Sequence, residues 1–152
     1  MKRFLPLLAI TAILSGCATV SYQNVATLPG ETLSVHRTLA RYEGTVDQPC
    51  RFMTSECPNR CDHGGKVAAF SIVEYTGYEK PGKYGDAKQE RFLVRVAHKD
   101  GTPDAKVPEA LRKVIAGLKP GQVVGLDWTH VYVTDPASGS KWPERIVTRL
   151  AE

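Results

Sequence analysis

What this sequence lacks narrows it first. No run of about 18 or more consecutive apolar residues occurs, so no segment is long enough for a membrane-spanning helix. A strong excess of one charge is missing too. Lysine and arginine total 20 against 16 acidic side chains, and Lys2 and Arg3 supply two of the surplus. The other 18 basic and 16 acidic groups make no basic field of the kind a nucleic-acid binder uses. Gly-x-Ser-x-Gly, His-Glu-x-x-His and a phosphate-binding glycine loop are all absent. Serine, histidine and aspartate occur, but no spacing links them as a triad, so no enzymatic activity is expected. There is no internal repeat and no low-complexity tract. What remains is ordinary for one globular domain: 152 residues, 42% hydrophobic and 24% charged.

The first residues are built differently from the rest. Lys2 and Arg3 form a positive head, Phe4 to Leu14 an apolar stretch interrupted by Pro6, and Ser15 and Gly16 precede Cys17. That is the layout of a secretory signal peptide, too short for a stable anchor. The run Leu14-Ser15-Gly16-Cys17 closely resembles the lipobox of bacterial lipoproteins, matching at all four positions. The resemblance implies cleavage before Cys17, a diacylglycerol thioether on its sulfur and acylation of its new amine. Several acyl chains on one residue exceed the two-signal threshold for stable membrane attachment. Residue 18 is alanine rather than aspartate, which by analogy with enteric lipoproteins implies the outer membrane. The expected organisation is a signal peptide at 1–16, a lipidated cysteine and flexible tether at 17–30, and a domain at 31–152 facing the periplasm.

Within that domain the patterning predicts five strands and one helix. Glu31 to Val46 is the first strand, with moderate alternation through Leu33, Val35 and Leu39. Residues 47 to 65 hold Pro49, Pro58, Asn59, Asp62, Gly64 and Gly65, and form a long irregular connection. Lys66 to Tyr78 is rich in strand-forming residues, and a turn-rich stretch from Lys80 to Asp86 follows. Gln89 to His98 is the cleanest strand, with Phe92, Val94 and Val96 on one face and Arg91, Leu93, Arg95 and Ala97 on the other. Val107 to Leu118 places Leu111, Val114, Ile115 and Leu118 at helical spacing, with Pro108 in the first turn, and Lys119-Pro120-Gly121 stops it. Gly121 to Thr134 puts Val124, Leu126, Trp128, His130 and Tyr132 on one face. Asp135 to Lys141 is a polar loop, and Pro143 to Leu150 a last strand. Three strands, a helix and two strands is an order that resembles the OB-fold, a small five-stranded Greek-key barrel, with a different antiparallel barrel or sandwich carrying one helix as the rival. Closure would also remove the exposed edges of a flat sheet.

Cys50, Cys57 and Cys61 fall within twelve residues, with His63 two positions on, in CRFMTSECPNRCDHGG. In an oxidising periplasm a disulfide is the first expectation, worth about 2–3 kcal/mol in the chain-entropy view, with one thiol left over. The competing reading joins the three thiolates and the imidazole into a tetrahedral zinc or copper(I) site, with Arg60 and Asp62 around it. Cys57-Pro58-Asn59-Arg60-Cys61 also resembles the Cys-Pro-x-x-Cys segment of Sco-type copper chaperones. That family has a thioredoxin-like fold, which this strand-dominated chain does not predict, so only the two thiols carry over. A third reading makes Cys57 and Cys61 a redox-active pair.

In an OB-like barrel the first long connection and the loop at 135–142 flank the usual binding face. The second of these carries Lys141 and Trp142, a ring able to stack on a sugar or peptide side chain or to cap the barrel end. His98 and His130 each extend an apolar face; either could reach a barrel mouth and complete a metal site, but each is expected to be a satisfied residue at the end of the core. His36 has no informative context. Tyr75, Tyr78 and Tyr84, near Lys80 and Lys83, offer a sticky aromatic-basic surface or, as the plainer account, packed tyrosines at a hairpin tip. The expectation is therefore a non-enzymatic, membrane-anchored binding module for a periplasmic ligand or protein, with zinc or copper handling as the alternative.

Overall fold

The computed structural model describes residues 20–21, 30–49 and 64–151. A two-residue strand β1 (Val20–Ser21) is followed by five long strands: β2 (Gly30–Gln48), β3 (Gly65–Glu79), β4 (Arg91–Ala97), β5 (Val123–Thr134) and β6 (Lys141–Ala151). Helix α1 (Glu109–Gly117) joins β4 to β5. All pairings are antiparallel, in the order β1-β6-β5-β2-β3-β4. The chain is thus mainly β, its five long strands curled into an OB-like half-barrel with the helix between the third and fourth of them. Within the stretch expected as a tether, Val20 and Ser21 pair with Leu150 and Arg149 at the edge of the sheet.

β2 is the spine, bonded to β3 on one side and β5 on the other over most of its 19 residues. Register shifts at Arg37/Thr38, Leu39/Ala40 and Tyr42/Gly44 in its pairing with β3 mark bulges, the device by which one strand bends around a barrel. Its inward face supplies the register that the moderate alternation left open. Ser34, His36, Thr38, Ala40 and Tyr42 are buried and Val35 and Leu39 only half-buried, so the alternation runs on the opposite parity. Leu33 is buried by another route, under the 80–90 connection.

On β4 and along β5 as far as His130 the expected inward residues are buried or half-buried. Tyr132, expected on the same β5 face, is exposed while Val133 beside it is buried, and Asp127 of the expected outer face is buried too. Phe92 and Val94 are buried on β4 while Leu93 is exposed, and Val124, Leu126 and Trp128 are buried on β5. Register aligns Tyr42, Phe70 and Phe92 in one row across three strands, and Leu111, Ile115 and Leu118 of the helix region join the same core. Pro108 is the residue before the first helical turn, where its missing N–H costs nothing. The helix exit is fastened to β2, since Tyr42 N–H donates to Gln122 O and Gly121 N–H to Tyr42 O. One end of the half-barrel is therefore filled by apolar side chains and the helix.

The other end is shaped by the 80–90 connection, which folds back over the start of β2. Gly82 N–H donates to Leu33 O at 3.1 Å, and Gly85 passes so close that a Cβ there would lie 2.2 Å from that same oxygen. Gly85→Ala is accordingly expected to lower stability by about 1–3 kcal/mol in urea unfolding, because backbone blocks the added methyl. Gly117→Ala, in the last helical turn with open space around it, should leave stability unchanged or raise it by up to about 1 kcal/mol.

Candidate functional site

The seated connection delivers Asp86 to the open end of the half-barrel. Its backbone N–H donates to Ser34 Oγ at 3.2 Å, and its carbonyl accepts from the Tyr78 hydroxyl at 2.8 Å. Its carboxylate receives two bonds from Arg145 on β6, Nε to Oδ2 at 2.7 Å and Nη2 to Oδ1 at 2.9 Å. This fork-on-carboxylate geometry fixes both groups in orientation as well as distance. Burial pushes the Asp86 carboxyl up, but the hydrogen bonds and charge of Arg145 outweigh it and hold the group below its ordinary range.

Behind Asp86 runs a buried polar chain. Ser34 Oγ lies 2.9 Å from His36 Nε2, and His36 Nδ1 lies 3.3 Å from the Tyr75 hydroxyl, which accepts from Gln89 N–H at 2.7 Å and donates to Gln89 O at 3.3 Å. Since Ser34 Oγ already accepts from Asp86, satisfying every partner makes it donate to His36 Nε2. The His36 proton then sits on Nδ1 and points to Tyr75. The His36 ring stacks on Trp128 at 4.4 Å, and Phe92 covers the other side of that indole at 4.3 Å. Tyr75 and Tyr78 pack against His36 at 5.9 and 5.1 Å, with Lys88 over both rings.

His130 has no such satisfaction. Strand pairing sets it between Ser34 and Arg145, and its side chain is only 5% exposed. Nδ1 approaches Asp86 Oδ1 at 3.4 Å without hydrogen-bond alignment, and neither ring nitrogen has a hydrogen-bond partner. The residue ends the β5 core face as its spacing implies, but the expected satisfaction of its ring is corrected.

His130, Asp86 and Arg145 line a cleft of about 790 Å³ at the mouth. Tyr84 and Tyr132 flank it, Lys83 and Lys141 add positive charge, and Glu31 faces them. Because Asp86 and Arg145 neutralise each other, two lysines against one glutamate leave the rim mildly cationic. The size lies in the ~300–1,000 Å³ range of small-molecule sites. The chain matches no protein-family model, no curated protein and no solved structure.

The anticipated site residues are distributed unevenly around this cleft. Lys141 lines it. Trp142 lies on the opposite face of β6, its indole N–H donating to Glu144 at 2.9 Å. His98 opens a tight turn, its carbonyl accepting from Gly101 N–H. The signal peptide, Cys17 and the cluster of Cys50, Cys57, Cys61 and His63 lie outside the described residues. Among the described residues no three His, Cys, Asp or Glu side chains converge as a metal site. Sequence reasoning passed over Asp86, Arg145 and His36. The only signal at Asp86 was its place after Gly82 and Gly85, which mark a turn and say nothing of what the turn packs on.

Burial is the main force lowering the proton affinity of both His36 and His130. For His36, Asp86 opposes it while His130 and Arg145 reinforce it, and for His130 Arg145 reinforces it against Asp86. Unfolding returns each imidazole to its ordinary value near 6.5, so below that pH the unfolded chain binds more protons. Stability should hold steady above about pH 7 and fall as the pH drops through 6 and 5, read from urea midpoints. His130→Gln should flatten that slope. Asp86, already held low, adds a further loss only in more acidic solution.

Proposed function

We propose that this chain is a lipoprotein, anchored through acylated Cys17 at the outer membrane, whose OB-like half-barrel is a non-enzymatic binding module facing the periplasm. Its ligand enters the cleft at the mouth. The observation that carries this reading is His130, a buried imidazole lining a cleft of about 790 Å³ with both ring nitrogens unpartnered. A buried polar group left without a partner costs about 1–3 kcal/mol, which a bound ligand would recover.

The surrounding groups favour binding over catalysis. Asp86 is committed to Arg145 through two hydrogen bonds, which suits an orienting group better than a base working near neutrality. The serine–histidine contact of Ser34 with His36 is sealed, each residue being 0% exposed, so its hydroxyl cannot reach a substrate. Among the described residues no helix is long and apolar enough to cross a membrane; in this reading the lipid on Cys17 makes the attachment.

Two measurements test the proposal. Metabolic labelling with palmitate and membrane fractionation should place the wild type in the outer membrane with label, and Cys17→Ser should lose both. Native mass spectrometry of the protein isolated from envelopes should show an organic adduct that Arg145→Ala releases. A retained zinc or copper ion with three alkylatable thiols after denaturation would instead establish metal handling through Cys50, Cys57, Cys61 and His63.

A further inference from the structure

We infer that the mouth cleft takes a saccharide, one of whose hydroxyl or acetamido N–H groups donates to Nε2 of His130 while a sugar ring lies on the flanking tyrosines. This names the ligand class of the site proposed above and rests on that reading.

The argument begins with the proton on His130. Nδ1 faces the Asp86 carboxylate at 3.4 Å, and Arg145 holds that carboxylate ionised. Turning the single N–H of the imidazole toward that carboxylate is the electrostatically favoured tautomer, and it leaves Nε2 as a bare lone pair. That lone pair is buried and has no partner in the protein. What completes it must bring a donor.

Donors come in two kinds, and the rim separates them. With the Asp86–Arg145 pair neutral, an ammonium group would meet Lys83 and Lys141 against Glu31 alone in the same cleft, and the net like charge disfavours it. A simple anion suits the lysines but brings only acceptors, leaving Nε2 facing another lone pair. A neutral hydroxyl or amide N–H answers the nitrogen without opposing the cations. Sugars carry several such groups, and the remaining ones can accept from Lys141 or Lys83 and donate to Glu31.

The second observation is aromatic. Tyr84 is 74% exposed and Tyr132 36% exposed, and both line the cleft. Lys83 Nζ sits 5.4 Å from the Tyr84 ring centroid. Exposed rings beside a polar cleft offer flat apolar faces to the C–H side of a pyranose while their hydroxyls stay wet. The cell wall of the compartment proposed above is built on an N-acetylated hexosamine glycan, which sets the probe.

The test is isothermal titration of the full-length protein in detergent at neutral pH with the tetramer of N-acetylglucosamine, inorganic pyrophosphate and spermidine. The tetramer should bind and the other two should not. Tyr84→Ala, at a position too exposed to disturb folding, and His130→Phe should each weaken binding at least about tenfold. His130→Gln, which keeps a carbonyl acceptor, should bind better than His130→Phe. Val46→Ser, exposed near the far end of β2, should bind like the wild type. Tetramer binding that neither Tyr84→Ala nor His130→Phe weakens overturns the assignment. Pyrophosphate or spermidine binding without tetramer binding overturns the saccharide while preserving a binding module. If no probe binds and no adduct accompanies the native protein, both readings fall.

Discussion

The mouth of this half-barrel depends on one carboxylate. Asp86 sits on a connection with no regular structure of its own, yet it bonds Ser34 through its N–H, Tyr78 through its carbonyl and Arg145 through both carboxylate oxygens. Those contacts tie β2, β3, the connection and β6 together at the end where no helix fills the barrel. A bidentate guanidinium–carboxylate pair defines an orientation that a single ammonium contact would not. The exposed side of Arg145 keeps its own contribution to stability modest, so the pair is better understood as specifying geometry.

From Asp86 the constraint passes inward. A polar residue on the buried face of a central strand must find a partner, because the low-dielectric interior raises the cost of leaving it alone. Ser34, His36 and Thr38 all point inward from β2 and each does so: Ser34 to Asp86 and His36, His36 to Tyr75, Thr38 Oγ1 to Leu126 O at 2.6 Å. His130 breaks the series, and so does Trp128, whose Nε1 is also unpartnered although its ring is enclosed between His36 and Phe92. Both side chains are buried, but His130 is among the residues that line the cleft and Trp128 is not, and that position makes the imidazole the functional candidate.

The barrel consequently has two unlike ends. Around Tyr42, Phe70, Phe92, Leu111 and Ile115 the interior is apolar and closed by the helix. Beyond Trp128 it becomes a hydrogen-bonded cluster of serine, histidines, tyrosines and an ion pair. β4 and β6 stand toward opposite ends of the strand order, joined by no ladder among the described residues. Side chains bridge part of that gap: Lys106, on the segment after β4, pairs with Glu144 on β6. A polar, aromatic-lined opening on a rigid sheet is a common way for small barrels to acquire ligands.

The sequence by itself determined the order of elements, the helix with its proline start, the face of β4 and the inward residues of β5 from Val124 to His130. Each of these follows from local periodicity: Phe92, Val94, Val124, Leu126 and Trp128 are apolar, alternate regularly and point inward. It did not determine the face of β2. There the buried residues include Ser34, His36 and Thr38, and an apolar pattern assigns polar residues to solvent. Bulges further break the simple period of two. The mouth cleft was decided only by the tertiary structure. Arg145 is 59 positions from Asp86, and Thr38 N–H donates to Asp127 across 89 positions. Pairings at such separations are selected by strand register and by the close seat of Gly82 and Gly85 on Leu33, neither of which leaves a mark in the local sequence.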